Sequence, residues 1–175
     1  MEKHLNQYID IWKKIVDVQQ HFNDIEMRIR AIAIPTLAAM LGAAGFAHKE
    51  HVNISLFGAS FSGAAAIALL TFVVWSVFYF LDRHWYHRLL YGAVNANIAI
   101  EKAIQTVIPE LDLGGHISRE SPIVIKRNGR EILRLRSTHK MDLVYGVVAA
   151  LILGIALVFA LSGGAPASSI APANS

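Results

Sequence analysis

Three long stretches of this chain contain no Asp, Glu, Lys, Arg or His, and they constrain its fold more than any other feature. They cover residues 31–47, 54–81 and 143–161. A membrane-spanning helix needs about 20 mostly apolar residues, and the second stretch is long enough to cross with tilt. Charged residues make up only 17% of the 175 residues, whereas soluble domains carry about 25%. We therefore expect three transmembrane helices and no soluble enzyme.

The composition also excludes several kinds of chemistry. The chain has no cysteine, which removes disulfides, thiolate zinc sites and iron–sulfur clusters. The three stretches lack the ionisable groups that proton and ion pathways usually need. His84 and His87 have a metal-ligand spacing, but their aromatic neighbours favour an interfacial role. With no catalytic constellation or cofactor fingerprint in view, we expect no enzyme, no cofactor and no metal.

The basic residues predict an orientation, because segments on the cytoplasmic side of a membrane are enriched in Lys and Arg. Residues 1–30 contain five, residues 48–53 one, residues 82–142 ten and residues 162–175 none. Three spans predict this alternation. We expect the N-terminus and residues 82–142 in the cytoplasm, and a disordered tail over 162–175 outside it.

The segments next to the first two spans are predicted to extend them as helices. Apolar residues recur over 8–32 at alternating spacings of three and four, which keeps a seam on one side of a helix. Residues 82–107 carry a wide apolar face. We expect a long antiparallel hairpin. Its seams either only bury each other or also build an oligomer, and the two interpretations are compatible. The seam residues are Ile11, Ile15, Val18, Phe22 and Ile25 on one arm, and Trp85 and Leu89 on the other.

The second arm offers two adjacent stripes for this contact. One contains small residues that would let the large residues of the first arm approach closely. It consists of Trp85, Leu89, Gly92, Ala96, Ala99 and Ala103. The other consists of Tyr86, Leu90, Ala93, Asn97, Ile100 and Ile104.

Residues 110–140 are predicted to form a basic loop with a β-hairpin. Asn128-Gly129 lies between two β-rich runs, which is a strong signal for a two-residue type I′ turn. The expected pairs are Lys126 with Glu131, Ile125 with Ile132, and Val124 with Leu133.

The same segment is the candidate binding region. Residues 119–140 hold seven basic and two acidic residues, a net charge of +5. Clustered cations beside a membrane attract anionic lipid, and they equally suit a nucleotide or a cytoplasmic signalling protein. Nucleic acid is not favoured, because aromatic residues do not interleave the cations. The candidate residues are Arg119, Lys126, Arg127, Arg130, Arg134 and Arg136.

Small residues recur at four-residue intervals within the spans, a spacing that permits close helix contact in lipid. They are Gly146, Ala150 and Gly154 in the third span, and Ala59 and Gly63 in the second. These residues serve either packing within one subunit or a homo-oligomer. In the second case Ser60, Ser62, Thr71 and Ser76 would face a pore.

The segment after the second span reads DRHWYHRLLYGAVNANIAIEKAI. Its main residues are Asp82, Arg83, Tyr86, His87, Leu89, Leu90, Gly92 and Ala93. On this segment, residues 5–107 resemble the SLATT-like class of small membrane effectors from bacterial conflict systems. The third span and the basic hairpin depart from the two-span plan of that class. The resemblance implies disruption of the bacterial inner membrane in defence against phage, after activation by a partner or nucleotide signal.

These observations predict an all-α membrane protein with three transmembrane helices, a long cytoplasmic helical hairpin and a small β-hairpin before the third span. The expected function is that of a homo-oligomeric inner-membrane effector that permeabilises the membrane on activation. The alternative is a non-conducting scaffold or adaptor that tethers a soluble cytoplasmic partner to the bilayer.

Overall fold

The computed structural model describes residues 2–56, 59–127, 130–135 and 137–162. The described part is almost entirely helical, so the all-α class with a small hairpin is confirmed. Three helices are long and apolar enough to cross a membrane, and the chain is a multi-pass membrane protein. The elements in order are α1 (Glu2–Lys49), β1 (Asn53–Leu56), β2 (Ala59–Ser62), α2 (Gly63–Tyr79), a π-helical turn (Phe80–Tyr86), α3 (His87–Ile104), α4 (Leu113–Glu120), β3 (Ile123–Arg127), β4 (Arg130–Leu135) and α5 (Ser137–Ser162).

The first helix is continuous from the polar N-terminal segment through the first apolar stretch, as the seam predicts. Pro35 lies inside it, although proline removes a backbone hydrogen bond from a helix. Membrane helices tolerate such a proline because neighbouring groups satisfy the freed carbonyl.

The second span is shorter than the sequence predicts. Residues 54–62 were expected to be helical, but β1 and β2 form an antiparallel hairpin, and α2 begins at Gly63. Ser62 explains this start, because its Oγ accepts a hydrogen bond from the backbone N–H of Ala65 at 3.3 Å, the geometry of an N-cap. A Cβ on Gly63 would lie 2.8 Å from the carbonyl oxygen of Val52, so this position needs glycine.

After α2 the chain passes through the π-helical turn into α3 without a break. A π-helical turn carries i→i+5 hydrogen bonds and occurs often at functional sites. α3 ends at Ile104, three residues before the predicted end at residue 107, and the basic loop expected over 110–140 contains α4.

The second β-hairpin forms where Asn128-Gly129 predicts it, and its register agrees only in part. Lys126 pairs with Glu131 as expected, but Ile125 pairs with Leu133 and Val124 with Arg134. A β-bulge between Ile125 and Lys126 causes the shift, because a bulge places two residues of one strand opposite one of the other. The sequence pattern carries no signal for this extra residue.

The chain divides into two compact units. The first comprises Met1–Ala33 with Val77–Val147, and the second Ile34–Ser76 with Val148–Ser175. Within the second unit, Ala44, Ala68 and Ala156 from α1, α2 and α5 form a fully buried contact. His48 stacks on Phe159 with their ring centroids 4.7 Å apart. Alanines at this contact allow the three helices to approach closely.

The predicted seam is not the buried side of the first unit. Ile11, Val18, Trp85 and Leu89 are exposed by 48, 42, 56 and 43%, while Ile15, Phe22 and Ile25 are only half-buried. The inner side of α1 lies one residue further along, at Trp12, Gln19, Glu26 and Ala33. On α3 the stripe with Gly92 and Ala96 is exposed, and the adjacent stripe containing Asn97 and Ile104 is buried. Polar side chains with specific hydrogen-bond partners determine which side of each helix is buried.

Candidate functional site

A layer of ionic contacts at one end of the apolar stretches is the main polar feature of the first unit. Arg30 precedes the first stretch, Asp82 follows the second, and Asp142 precedes the third. α1 and α5 therefore enter the apolar region at the end where α2 leaves it. This arrangement brings the three bordering residues into one neighbourhood.

Asp82 is the centre of the layer and has no exposed surface. Arg30 donates from Nε to Asp82 Oδ2 at 2.8 Å and from Nη2 to Oδ1 at 3.1 Å. The Tyr145 hydroxyl donates to Oδ2 at 2.9 Å. Two parallel bonds from one guanidinium form the strong, directional type of charge pair, so Asp82 ties the π-helical turn to α1 and α5.

Glu26 extends the layer along α1. Arg30 Nη2 lies 3.0 Å from Glu26 Oε2, one helical turn away. On the other side, Glu26 Oε1 is 3.3 Å from Nδ1 of His87, the first residue of α3. Arg30 is thus shared between two buried carboxylates, and Glu26 links it to α3.

Arg83 makes the next contact with α5. Its Nε lies 2.8 Å from Asp142 Oδ1, and the Tyr79 hydroxyl donates to the same oxygen at 3.0 Å. Successive residues of the π-helical turn, Asp82 and Arg83, therefore both bind partners on neighbouring helices.

These contacts hold helices in register. Burying charges is costly, and it is tolerated when the partners are close and well hydrogen-bonded. Breaking the layer would therefore leave uncompensated charge. In the described part of the chain, no group of three or more His, Asp or Glu side chains has the arrangement of a metal site.

A third buried carboxylate, Glu101, joins α1, α3 and α4. It is 1% exposed and accepts hydrogen bonds from Trp12 Nε1 at 3.1 Å, Asn97 Nδ2 at 2.9 Å and the backbone N–H of Gly114 at 2.8 Å. The last donor is at the first turn of α4, where the helix dipole favours negative charge. A Cβ on Gly114 would meet Ile98 Cγ1 at 2.9 Å and Glu101 Oε2 at 3.0 Å, which explains glycine at this position.

The predicted basic residues do not form one site in the described part of the chain. Arg119 lies in α4 and contacts Asp112 at 2.6 Å, a hydrogen bond that lowers the pKa of Asp112. Arg130 is exposed at the start of β4. The remaining predicted side chains, those of Lys126, Arg127, Arg134 and Arg136, lie outside the described residues, as does the tail from residue 163.

The small residues of the third span face away from the chain's own helices. A Cβ on Gly146 or Gly154 would have no atom within 4 Å, and Ala150 is exposed. The pair Ala59 and Gly63 does not form a helical stripe, because Ala59 is in β2. Thr71 is buried and donates to the Ile67 carbonyl at 2.8 Å, so within one chain its hydroxyl is already hydrogen-bonded.

Sequence reasoning did not predict that the carboxylates of Glu26, Asp82 and Glu101 are buried. A signal existed for Asp82, since it borders an apolar stretch at the same predicted face of the membrane as Arg30 and Asp142. Glu101 lacked such a signal because its partners are uncharged. Comparison of the chain with protein-family models, curated proteins and solved structures finds no match.

Proposed function

We propose that this chain is a homo-oligomeric effector of the bacterial inner membrane, which permeabilises that membrane on activation in defence against phage. The observation that carries the proposal is the apolar heptad face that the chain leaves uncovered. Its clearest members are Ile11 and Val18 of α1 and Leu89 of α3, which are 48, 42 and 43% exposed.

Lipid is a poor cover for this face. Val18 precedes the first apolar stretch by 13 residues, which corresponds to roughly 20 Å of helix. Exposed apolar surface in water costs about 25 cal/mol per Å², and a heptad spacing is typical of helices that pair with helices. A second copy presents the same face, so two copies cover each other through a symmetric contact.

The third span supports assembly within the bilayer. Gly146, Ala150 and Gly154 form an outward small-residue stripe, and such stripes favour helix association in lipid. The uncovered α1 and α3 face supports contacts beside the membrane, and this stripe supports contacts within it.

The ionic layer supports a gated effector. Asp82, Arg30 and Glu26 are satisfied only while α1, the π-helical turn and α3 keep their present positions. Charged groups beside the bilayer core are costly unless they are paired or hydrated. If activation parts these helices, water would enter to hydrate the released charges.

The predicted membrane orientation and the resemblance to a known class of effectors also support the proposal. The alternation of basic residues supports an N-terminus and a residue 82–142 segment in the cytoplasm, with the C-terminal tail outside. The likeness of residues 5–107 to SLATT-like effectors supports activation by a cytoplasmic partner or nucleotide.

Dye release from liposomes tests the proposal. Because a high protein density favours assembly by mass action even without the activating signal, we expect wild-type protein to release an encapsulated dye increasingly with density. The double variant Ile11→Glu/Val18→Glu should release at least several-fold less, because charge on the uncovered face opposes assembly. Gln20→Glu is the matched control, since it adds charge to an exposed position on another side of α1. Absence of release at every density would reject the permeabilising function.

A scaffold or adaptor is the second candidate, and the β3–β4 hairpin favours it. The hairpin is an isolated two-stranded sheet, so both strands have an open edge that another chain can extend. Ile123, Ile125 and Ile132 are exposed by 50, 47 and 60%. An adaptor gives no dye release, and its binding of a cytoplasmic partner should weaken when Arg127, Arg130 and Arg134 are replaced by Glu.

A further inference from the structure

We infer that a basic cavity beside the π-helical turn binds a phosphate group, carried by the headgroup of an anionic phospholipid. The cavity has a volume of about 330 Å³ and lies within the first unit. Its lining residues are Arg83, His87, Arg88, Tyr91, Gly92 and Thr138. This inference goes beyond the proposed function and does not depend on permeabilisation.

The lining has the chemistry of a phosphate site. It contains two guanidinium groups, an imidazole and two hydroxyls, and it contains no carboxylate. Guanidinium groups match the geometry of phosphate oxygens, and the hydroxyls of Tyr91 and Thr138 are further donors. Gly92 has no side chain, which leaves room for the ligand.

The ionic layer positions two of these groups without using all their donors. Arg83 is held by Asp142 through Nε, and a guanidinium has five N–H donors. His87 contacts Glu26 through Nδ1, which leaves Nε2 as its second polar atom. Asp142 and Glu26 reduce the positive potential, so Arg88 supplies the decisive charge: within the described part of the chain, no carboxylate lies within ion-pair distance of it.

The cavity begins at the depth of lipid headgroups and extends past them. Arg83 follows the second apolar stretch by two residues and Arg88 by seven, which places their Cα atoms roughly 3 and 10 Å beyond it at the helical rise. Headgroups occupy about 5–8 Å on each side of the hydrocarbon core, so the long side chains of both arginines reach the headgroup layer. Trp85 and Tyr91 are exposed by 56 and 63%, as is typical of aromatic residues at the membrane interface. A phospholipid therefore presents its phosphate where the cavity opens.

Thermal unfolding of the full chain in a neutral detergent tests the inference. A ligand that binds the folded state raises the midpoint with concentration. We expect phosphatidylglycerol to raise the midpoint more than phosphatidylcholine does. Arg88→Gln should weaken the apparent affinity for phosphatidylglycerol about fivefold, the effect of one interfacial cation, and Tyr91→Phe should weaken it less.

Lys102→Gln is the matched control, because it removes an exposed cation from the same helix 14 residues away and should leave the response unchanged. A second arm uses inorganic phosphate. If phosphate raises the midpoint of the wild type but not of Arg88→Gln, and phosphatidylglycerol adds nothing, the ligand is a soluble phosphate. Equal responses of the wild type and Arg88→Gln to both probes would overturn the inference.

Discussion

At the scale of single residues, the buried carboxylates determine how the helices contact one another. Asp82 follows an apolar stretch, and by sequence alone it is an ordinary charged residue at a membrane border. The structure places it at the centre of contacts from Arg30 and Tyr145. The pairing could not be predicted, because it depends on which helix faces meet across 52 residues of chain.

Replacing Asp82 with Asn removes the charge that opposes Arg30. We expect the free energy of unfolding to fall by about 3 kcal/mol, the lower range for breaking a buried charge pair, because Arg30 keeps Glu26. Equilibrium unfolding in detergent, followed by circular dichroism, measures the change. Asp142→Asn is the comparison, since the Asp142 side chain is 38% exposed and its loss should cost less. A larger loss for Asp142→Asn would contradict the central place of Asp82.

At the scale of elements, the helices were predictable and their contact faces were not. The heptad over 8–32 and the absence of breaks predict α1 and the α2–α3 continuity, because such patterns are local. The buried stripe of α3 is set by Glu101, whose donors come from Trp12 and Gly114. Since these partners are distant in sequence, the pattern favoured the wrong stripe, the one that contains Leu89. The hairpin at 53–62 was missed for a related reason, because short apolar runs suit strands and helices equally.

Two glycine substitutions distinguish close packing from open surface. Gly114→Ala should destabilise the fold by about 1–3 kcal/mol, because the added methyl overlaps Ile98 and the Glu101 carboxylate. Gly92→Ala should stabilise it by about 0.5–1 kcal/mol, since Gly92 is inside a helix with no atom within 4 Å of its Cβ position.

The same unfolding assay compares both glycine variants with the wild type. Amide hydrogen exchange of α4 adds a local readout, in which Gly114→Ala should lose protection while Gly92→Ala keeps it. If Gly114→Ala retained wild-type stability and wild-type protection from exchange, Glu101 would not be the residue that holds α4 in position.

At the scale of the whole molecule, the composition identifies a membrane protein, whereas the assembly of several copies has to be tested by experiment. The three apolar stretches predict a multi-pass membrane protein because no soluble fold covers that much apolar surface. Assembly depends on surfaces that one chain does not cover. The small-residue stripe was ambiguous by sequence, and in the structure it does not pack against the chain's own helices, so its contact with a second copy stays a prediction.

Gly154→Leu should reduce the oligomer to smaller species. No atom lies within 4 Å of the Gly154 Cβ position, so the single chain accommodates the larger side chain while a close helix contact in lipid does not. Size-exclusion chromatography with light scattering measures the mass in detergent. Gly45→Leu in α1 is the control, because its Cβ position is equally open and lies on a different helix. An unchanged mass for Gly154→Leu would exclude this stripe as the interface.

The membrane orientation of residues 1–30 and 82–142 can be measured directly, because the chain has no cysteine of its own. Both segments are predicted to lie on the same side of the membrane. Single cysteines replace three exposed residues, Asn6, Glu50 and Arg130, and a membrane-impermeant maleimide is added to intact spheroplasts. Because Lys and Arg concentrate in the segments around Asn6 and Arg130, we expect only the Glu50 variant to react until the membrane is opened. The contacts of Glu26 with His87 and of Trp12 with Glu101 require both segments on one face. Labelling of Asn6 and Arg130 from opposite faces would therefore be incompatible with the helical hairpin itself.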